Sequence, residues 1–280
     1  MSMLHHCWIG EETAEKTSIV NQKGGVAKTT STHNIGVALA KIGFKVLVVD
    51  LDSQASLTYS VGIDPLSVED KNIVSILTAK STVDIKECIY QVKTVENLYI
   101  LPSIIDLAQI ELEMFARSSR EKILERALLP IEDDFDFILI DCPPQLSVLT
   151  INALSCSDSV IIPVKTDELA FRGLTQLEDT IEEIKELINP KLEVIGVIAT
   201  MFEKISTEDK RVLKKLEERE QVIGIIKKTV EVKKGITKGI SIVEAQETNE
   251  VSLVYKKVAK KLITKSEVWK WQRKVWLETW

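Results

Sequence analysis

The sequence contains few of the residues that build disulfide-bonded, fibrous or loop-rich proteins. Its 280 residues include only 4 cysteines, 11 glycines and 7 prolines. Because the cysteines are scattered and form no C-x-x-C pair, a disulfide framework and the usual structural zinc sites are excluded. Neither sign of charge is in large excess, since 36 basic and 42 acidic residues give a formal net charge of −6. This balance excludes a strongly basic nucleic-acid coat but is compatible with a local basic patch.

Long apolar runs are also missing from the sequence. No run reaches the ~18 residues that a membrane-spanning helix needs, and the start of the chain lacks the apolar segment of a secretory signal. Together with the low cysteine content, these features predict a reduced, cytoplasmic chain. Tryptophan is unevenly distributed, because four of the five tryptophans lie within the last twelve residues: Trp269, Trp271, Trp276 and Trp280.

Short β-branched runs alternate along the chain with amphipathic helical patterns. Several runs are almost continuously apolar, as expected for strands that are covered on both faces of a parallel sheet. The alternation predicts an α/β fold with a doubly wound, mostly parallel sheet and helices on both faces. The predicted strands are Thr17–Asn21, Lys45–Asp50, Leu98–Leu101, Phe135–Asp141, Ser159–Val164, Glu193–Ala199 and Val222–Ile226. The predicted helices are Thr29–Lys41, Ile105–Arg117, Arg120–Leu129, one beginning at Thr150, Leu174–Leu187, Thr207–Glu220 and Val251–Leu262.

A glycine-containing loop connects the first predicted strand to the first predicted helix. Residues 22–30 read Gln-Lys-Gly-Gly-Val-Ala-Lys-Thr-Thr. A strand followed by a glycine turn, Lys-Thr and a helix is the arrangement of a phosphate-binding loop (P-loop). Its backbone N–H groups and the positive end of the helix dipole bind phosphate oxygens. Lys28 is predicted to reach the β- and γ-phosphates, and Thr29 to bind Mg²⁺. The predicted nucleotide-binding residues of the loop are Lys23, Gly24, Gly25, Val26, Ala27, Lys28, Thr29 and Thr30.

The loop departs from the strict pattern G-x-x-x-x-G-K-[ST], because Gln22 and Ala27 occupy the two glycine positions. Residues 23–30, with Lys-Gly-Gly at the start and Lys-Thr-Thr at the end, resemble the deviant Walker A loop of the ParA/MinD family of P-loop ATPases. Residues 48–55 resemble that family's switch I strand end, and residues 138–144 resemble its Walker B strand and switch II.

The resemblance extends over most of the chain. Residues 149–154 and 161–164 are more similar to the ParA/Soj partition ATPases than to MinD. We expect one P-loop ATPase domain over residues 16–262, preceded by an N-terminal extension over 1–15 and followed by a Trp-rich tail over 263–280.

Membership of this family implies ATP and Mg²⁺ as cofactors. Asp141 ends an apolar strand, where a carboxylate suits a site at the carboxyl edge of the sheet, and the resemblance assigns it with Thr29 to the metal. Asp52 follows another strand end and would orient the attacking water. Asp50 would hydrogen-bond either the loop or a water near the metal. The catalytic residues implied are Lys23, Lys28, Asp52 and Asp141.

Lys23 has no role in a P-loop that acts as a monomer. In the family that the chain resembles, this lysine crosses a dimer interface and touches the partner's nucleotide, which implies a nucleotide-sandwich homodimer formed with ATP. A positive charge placed there would stabilise negative charge that develops on the phosphate. Pro143 and Pro144 stiffen the loop after Asp141, as suits a switch that senses the γ-phosphate. Met201 lies where family members place a residue beside the adenine.

A lysine-rich segment is a candidate for binding nucleic acid. Partition ATPases bind DNA without sequence preference and are reset by a centromere-binding or other adaptor protein, so the resemblance implies both partners and a location at the nucleoid. A patch of ~4–6 cations over two subunits would bind DNA weakly and with strong salt dependence. Solvated lysines without a ligand are the alternative interpretation. The candidate DNA-binding residues are Lys227, Lys228, Lys233, Lys234 and Lys238.

The tryptophan cluster supports a second hypothesis. Residues 267–280 can form a helix with tryptophans at helical spacing and with Lys270, Arg273 and Lys274 nearby, as suits a membrane interface. A MinD-like ATPase that positions itself on membranes is therefore an alternative function. The pattern favours packing of the tail on its own domain or on another protein over membrane docking, and a disordered tail is the remaining alternative. A metabolic P-loop enzyme is a further alternative.

Overall fold

The computed structural model describes residues 13–68, 70–79, 81–231, 235 and 238–265. Within these residues the strands are β1 (Glu15–Ile19), β2 (Val46–Asp50), β3 (Tyr90–Gln91), β4 (Leu98–Leu101), β5 (Phe137–Asp141), β6 (Ser159–Lys165), β7 (Glu193–Phe202) and β8 (Val222–Lys227). The helices are α1 (Lys28–Ala40), α2 (Ser56–Ser60), α3 (Ile73–Leu77), α4 (Leu107–Phe115), α5 (Ile123–Leu128), α6 (Val148–Cys156), α7 (Glu168–Leu187), α8 (Thr207–Arg219), α9 (Ile242–Ala245) and α10 (Glu250–Lys265).

The strands pair in the order β3-β4-β2-β5-β1-β6-β7-β8. Every pair is parallel except β3 with β4, which is antiparallel. The chain first builds the sheet on one side of β1 and then, from β6 onward, on the other side. This reversal places a crevice at the carboxyl end of β1, where doubly wound sheets bind ligands.

Helices cover both faces of the sheet. α1, α9 and α10 pack on one face over a core that includes Val48 and Leu139. α3 to α8 pack on the other face over a core that includes Leu47 and Ile138. Every residue of β2 and β5 is buried, because both faces of these strands are covered. The predicted α/β fold with a doubly wound, mostly parallel sheet is confirmed.

The predicted elements differ from the structure mainly at their ends. The first strand stops at Ile19, two residues before the predicted end, because the side chain of Asn21 donates to the carbonyl of Pro163 and starts the loop. The helix predicted from Leu174 begins at Glu168, where Asp167 caps it by accepting from the N–H of Ala170 at 2.8 Å. The sequence patterns missed β3, α2, α3 and α9, which have two to five residues each.

None of the described helices is both long enough and apolar enough to cross a bilayer. The Trp-rich segment that supported the membrane hypothesis lies outside the described residues from Ser266 onward, and the N-terminal extension lies outside them up to residue 12.

Helix α1 lies very close to the sheet at Gly36. A Cβ added to this glycine would stand 2.9 Å from Val48 Cγ1 and 3.3 Å from Leu98 Cδ1. Almost all of α1 is buried, because α10 covers the side that faces away from the sheet. The close approach fixes the distance of α1 from the sheet. Because the phosphate-binding loop leads directly into α1, the position of the loop is fixed with it.

We expect Gly36→Ala to destabilise the protein, although alanine normally stabilises a helix interior by ~1 kcal/mol relative to glycine. The added methyl would crowd Val48 and lower the free energy of unfolding by about 1–3 kcal/mol, which urea denaturation measures. Val48→Ala supplies the control, since it removes the methyl that the new Cβ would meet. Gly36→Ala should lower the free energy of unfolding by less in the Val48→Ala background. An equal decrease in both backgrounds would show that Val48 does not crowd the added methyl.

Candidate functional site

The loop between β1 and α1 presents backbone N–H groups at the carboxyl edge of the sheet. Gly25 and Ala27 both adopt left-handed backbone conformations, with φ of 72° and 69°. Ala27 is the N-terminal capping residue of α1, and among the described residues no side chain caps this helix. The first N–H groups of α1 therefore face the crevice, and the helix dipole adds positive potential there.

Hydrogen bonds from three directions hold the loop. Asn21 donates through its Nδ2 to the carbonyl of Pro163 at 2.7 Å and accepts from the N–H of Lys23 at 2.9 Å. Lys28 Nζ donates to the carbonyl of Lys23 at 3.1 Å. The hydroxyl of Thr200 donates to the carbonyl of Val26 at 3.1 Å. The loop is thus tied to the ends of β6 and β7 as well as to its own helix.

Buried carboxylates lie beside the loop. Asp141 ends β5 and accepts from the hydroxyl of Thr29 at 2.6 Å. The Thr32 hydroxyl lies 3.5 Å from its other oxygen. Burial raises the pKa of Asp141 well above its usual range, and the neighbouring charge of Asp50 adds to this increase. Burial also lowers the pKa of Lys28, although Asp141 partly opposes that change.

The site fits a magnesium ion of the kind that P-loop proteins bind. The threonine hydroxyl of Thr29 and the carboxylate of Asp141 are hard oxygen donors that already lie within hydrogen-bond distance of each other. The charges of Asp141 and Asp52 both act on the ammonium group of Lys28, and the charge of Asp50 acts on Asp141, so a divalent cation would compensate the excess negative charge. Within the described residues there is no group of three or more His, Cys, Asp or Glu that would form an all-protein metal cage. Mg²⁺ usually keeps waters and phosphate oxygens among its ligands and is held by one or two carboxylates.

Asp50 organises the segment that follows β2. Its Oδ2 accepts from both the N–H and the hydroxyl of Thr58 at 2.8 Å, and its Oδ1 accepts from the N–H of Asp52 at 3.1 Å. Burial raises the pKa of Asp50 to about 6 despite these hydrogen bonds. These contacts lie in the segment that follows β2 and differ from the two predicted roles of Asp50, a hydrogen bond to the phosphate loop or to a water near the metal. Asp50 also orients Asp52, which is half-buried and lines the crevice.

A cavity of about 620 Å³ continues from the loop, a volume typical of small-molecule sites. Its phosphate end is lined by Gly24, Gly25, Ala27, Lys28, Thr29, Thr30 and Asp52. The other end lies between α2, the last residues of β7 and β8, and α10. Among the residues that line this end are Tyr59, Ser60, Met201, Ile226, Thr229 and Tyr255. Pro144 also lines the cavity, whereas Pro143 is buried behind it.

The structure places Met201 in the cavity wall, at the end away from the phosphates. Met201 has a left-handed φ of 55° although it is not glycine. It follows Thr200, whose hydroxyl is bonded to the loop, so the position of Met201 is fixed relative to the phosphate end. Tyr255 is fully buried, and its hydroxyl lies 3.3 Å from the hydroxyl of Ser31 on α1. An apolar and aromatic wall of this kind suits the face of a nucleobase.

Lys23 projects toward the start of α7. Its side chain is half-buried, and its Cε would lie 3.8 Å from a Cβ placed on Gly173. The pKa of Asp167 is lowered by Lys165, by its cap on α7 and, to a smaller extent, by Lys23. Lys23 is thus part of the loop, but its side chain is not part of the cavity wall of its own chain.

The five candidate DNA-binding lysines are not equivalent in the structure. Lys227 pairs with Glu250 at 2.7 Å, and Lys228 pairs with Glu203 at 2.6 Å. Both lysines also line the cavity. Lys238 is exposed. The remaining two, Lys233 and Lys234, lie outside the described residues.

Sequence patterns missed several residues of the site. Thr58 holds Asp50 through two hydrogen bonds of 2.8 Å, and Thr32 lies 3.5 Å from Asp141. Tyr255 contacts α1 from more than 200 residues away. A local signal existed only for Thr58, a hydroxyl residue eight positions after Asp50 in the switch I segment. Tyr255 gave none, because its role depends on where α10 packs.

The chain is similar to known proteins in both sequence and fold. A family model described as an AAA domain matches residues 14–194. The sporulation initiation inhibitor protein Soj of Bacillus subtilis is 43% identical over 186 residues, which cover 66% of this chain and 72% of Soj.

Two groups of solved structures match the fold along most of the chain. A plasmid partition protein of Borrelia burgdorferi bound to AMPPNP is 27% identical with a TM-score of 0.77, covering 90% of this chain and 100% of that one. A structure described as cobyrinic acid a,c-diamide synthase from Mycobacterium smegmatis, with a bound ATP analogue and magnesium, is 33% identical with a TM-score of 0.76. It covers 88% of this chain and 93% of that one.

We expect Asp50→Asn to gain stability relative to the wild-type protein as the pH rises from about 4 to 7. With a folded pKa of about 6 and an unfolded value near 4, ionised Asp50 costs the fold about 3 kcal/mol above pH 6, and nothing when protonated. The asparagine side chain carries no charge, so the variant lacks this cost at every pH. Removing the charge of Asp50 also removes one cause of the raised pKa of Asp141.

Urea unfolding without nucleotide or metal, at several pH values, measures this difference. Titrating groups that do not interact with Asp50, such as buried His33, are common to both proteins and cancel in the comparison. Asp141 does not cancel, and its lower pKa in the variant adds to the difference in the same direction. A difference in stability that stays constant from pH 4 to 7 would show that Asp50 keeps an ordinary pKa in the fold.

Proposed function

The chain belongs to the ParA/Soj family of P-loop ATPases, and from this premise we propose that it is a Mg-ATP-dependent partition ATPase. In the proposed cycle ATP drives a nucleotide-sandwich homodimer, the dimer binds DNA without sequence preference, and adaptor-stimulated hydrolysis resets it. The observation that carries the proposal is the hydrogen bond between Thr29 and buried Asp141, which joins the phosphate loop to the end of the neighbouring strand β5.

The residues of the crevice suit phosphoryl transfer to water. Lys28 and the free N–H groups of α1 would bind the β- and γ-phosphates. Bound through Thr29 and Asp141, Mg²⁺ would neutralise phosphate charge. Asp52 accepts one hydrogen bond from the N–H of Gln54 through Oδ1, and its carboxylate lines the cavity, where it would orient the attacking water. The cavity end near Met201 would hold the adenosine.

Lys23 supports the dimer part of the proposal. Its peptide group is held on both sides, by Asn21 and by Lys28, while its side chain extends beside the start of α7 rather than among the residues that line the cavity. A lysine aimed away from its own nucleotide site suits contact with the nucleotide of a second subunit, where its charge would stabilise the transition state.

DNA binding and localisation at the nucleoid are proposals that rest on the family. The net charge of −6 opposes DNA binding by the whole surface, so the contact must be local. Glu250 and Glu203 pair with Lys227 and Lys228, so these two lysines add less net positive charge to the surface. In this proposal, the DNA contacts of the segment are therefore made mainly by Lys233, Lys234 and Lys238. An adaptor that stimulates hydrolysis is implied by the family resemblance alone.

A metabolic function is the second candidate, because the Mycobacterium smegmatis structure is described as an amide-forming synthase. Glutamine-dependent amidation requires a reactive thiolate. Among the described cysteines, Cys88, Cys142 and Cys156 are all buried, and burial raises the pKa of Cys156 to about 12. These thiols do not fit that role. ATP turnover without any added acceptor supports the ATPase, whereas a strict requirement for an acceptor and ammonia would support the synthase.

The membrane-positioning hypothesis rests on the Trp-rich tail. Residues 266–280 lie outside the described residues, so no structural observation favours that function.

We expect Lys23→Ala to reduce ATP hydrolysis by about 1000-fold or more, the effect of losing a positive charge supplied to the transferring phosphate. Phosphate release measures this rate. Fluorescent ATP binding and the free energy of unfolding should change little, because the side chain is not part of the core. Exposed Lys191, which precedes β7 at the opposite edge of the sheet, provides the control as Lys191→Ala. Full turnover by Lys23→Ala would overturn the proposed mechanism.

We expect the triple alanine variant of Lys233, Lys234 and Lys238 to lose most DNA binding in the presence of Mg-ATP. Fluorescence anisotropy with a non-specific duplex at increasing salt measures it, and the slope of log K against log salt should fall by about 0.9 for each lost phosphate contact. Lys191→Ala is the control, since this exposed lysine lies outside the lysine-rich segment and outside the cavity wall. A wild-type protein that retains no DNA at low salt would defeat the DNA-binding proposal.

A further inference from the structure

The backbone on either side of Lys23 is held more tightly than its own side chain. The N–H of Lys23 donates to Asn21 Oδ1 at 2.9 Å, and its carbonyl accepts from Lys28 Nζ at 3.1 Å. Both partners belong to the loop or to α1. A third contact reaches a different element, because Gln22 donates through Nε2 to the carbonyl of Gly173 in α7 at 2.5 Å.

Gln22 stands where the strict P-loop pattern has its first glycine. Left-handed φ values occur at Gly25 and Ala27 but not at Gln22, so its backbone does not need glycine. Its amide is instead the group that connects the loop to α7. A glycine at this position could not make the bond.

Gly173 makes room for this bond. A Cβ at Gly173 would lie 3.2 Å from Gln22 Nε2 and 3.8 Å from Lys23 Cε. Both contacts are with the ends of flexible side chains, so the glycine is not required by the core. It lies inside α7, where glycine normally weakens a helix. Its presence there is explained by the approach of the two loop side chains.

The helix that receives the bond is a rigid support. Asp167 caps α7, and Leu174, Leu177 and Ile181 anchor one side of it in the core. The Gln22 amide therefore ties the residue just before Lys23 to an element that does not belong to the phosphate loop. This bond fixes the direction in which Lys23 leaves the loop.

We propose that Gln22 is a positioning residue that aims Lys23 by hydrogen-bonding the α7 carbonyl at Gly173. The inference rests on the proposed role of Lys23 in hydrolysis. A side chain that must place one ammonium group on a phosphate is sensitive to small shifts, since a displacement of ~1 Å can reduce a rate about 100-fold.

Two variants weaken the bond in different ways. Gln22→Met keeps the length of the side chain but removes the N–H donor. Gly173→Ala adds the Cβ that displaces the amide, while it favours helix formation in α7. Gln176→Met makes the same chemical change at an exposed position of α7 and serves as the control.

We expect both test variants to lower kcat for ATP hydrolysis about tenfold, with KM for Mg-ATP changed less than about twofold. Gly173→Ala should have a Tm equal to or above that of the wild-type protein, so its loss of activity cannot come from a weaker fold. Hydrogen exchange of the peptide that covers residues 20–25 should become faster in both variants. Gln176→Met should change none of these measurements.

Unchanged kcat in Gln22→Met would overturn the inference, as would a rise in KM that accounts for the whole loss of activity. Lys23→Ala distinguishes this outcome from failure of the proposed function. If Lys23→Ala is fully active, the proposed role of Lys23 in hydrolysis is wrong. If Lys23→Ala is inactive while Gln22→Met is normal, only the positioning role of Gln22 is wrong.

Discussion

The register of β5 between β1 and β2 is the constraint on which the site depends. Asp141 is paired with Ile19 on one side and with Asp50 on the other, so all three strands end at the same level of the sheet. The phosphate loop, the carboxylate beside it and the switch segment therefore begin at one edge. A one-residue slip of β5 would turn the Asp141 side chain to the other face, away from Thr29. The continuous apolar runs that bury these strands hold the register, and the fold thus creates the charged site at its own edge.

The sequence predicted the central part of the molecule well because its signals were local. Buried strands appear as apolar runs, and the loop appears as a motif whose residues are adjacent in the chain. Elements of two to five residues, such as β3 and α9, gave no periodic signal and exist because neighbours support them. The start of α7 was missed for an instructive reason. Gly173 interrupts the helical pattern, and the cause of that glycine is the amide of Gln22 from another part of the chain.

Local charge is the property that composition reveals least. Lysine residues counted along 227–238 suggested a continuous basic patch, but two of them pair with Glu203 and Glu250, which precede or follow them by more than twenty positions. Such pairs depend on how β7, β8 and α10 meet, and composition does not reveal them. Composition also does not show that carboxylates are buried beside the phosphate loop. Three aspartates near one lysine would be an expensive arrangement in an isolated protein, and their presence is understandable when a bound cation completes the charge balance.

Backbone strain occurs repeatedly at the same edge of the sheet. Of the five described non-glycine residues with left-handed conformations, three lie at this edge: Ala27 in the phosphate loop, Ala55 in the segment that follows β2, and Met201 in the far wall of the cavity. Each costs on the order of 1 kcal/mol, and such residues persist only where their surroundings fix them. The fixing contacts are present: Thr200 is bonded to the loop, and Asp50 holds the switch segment through Thr58. Because the same hydrogen bonds hold the strained residues and shape the cavity, the fold itself fixes the shape of the cavity, and a ligand that fits it need not use binding energy to form it.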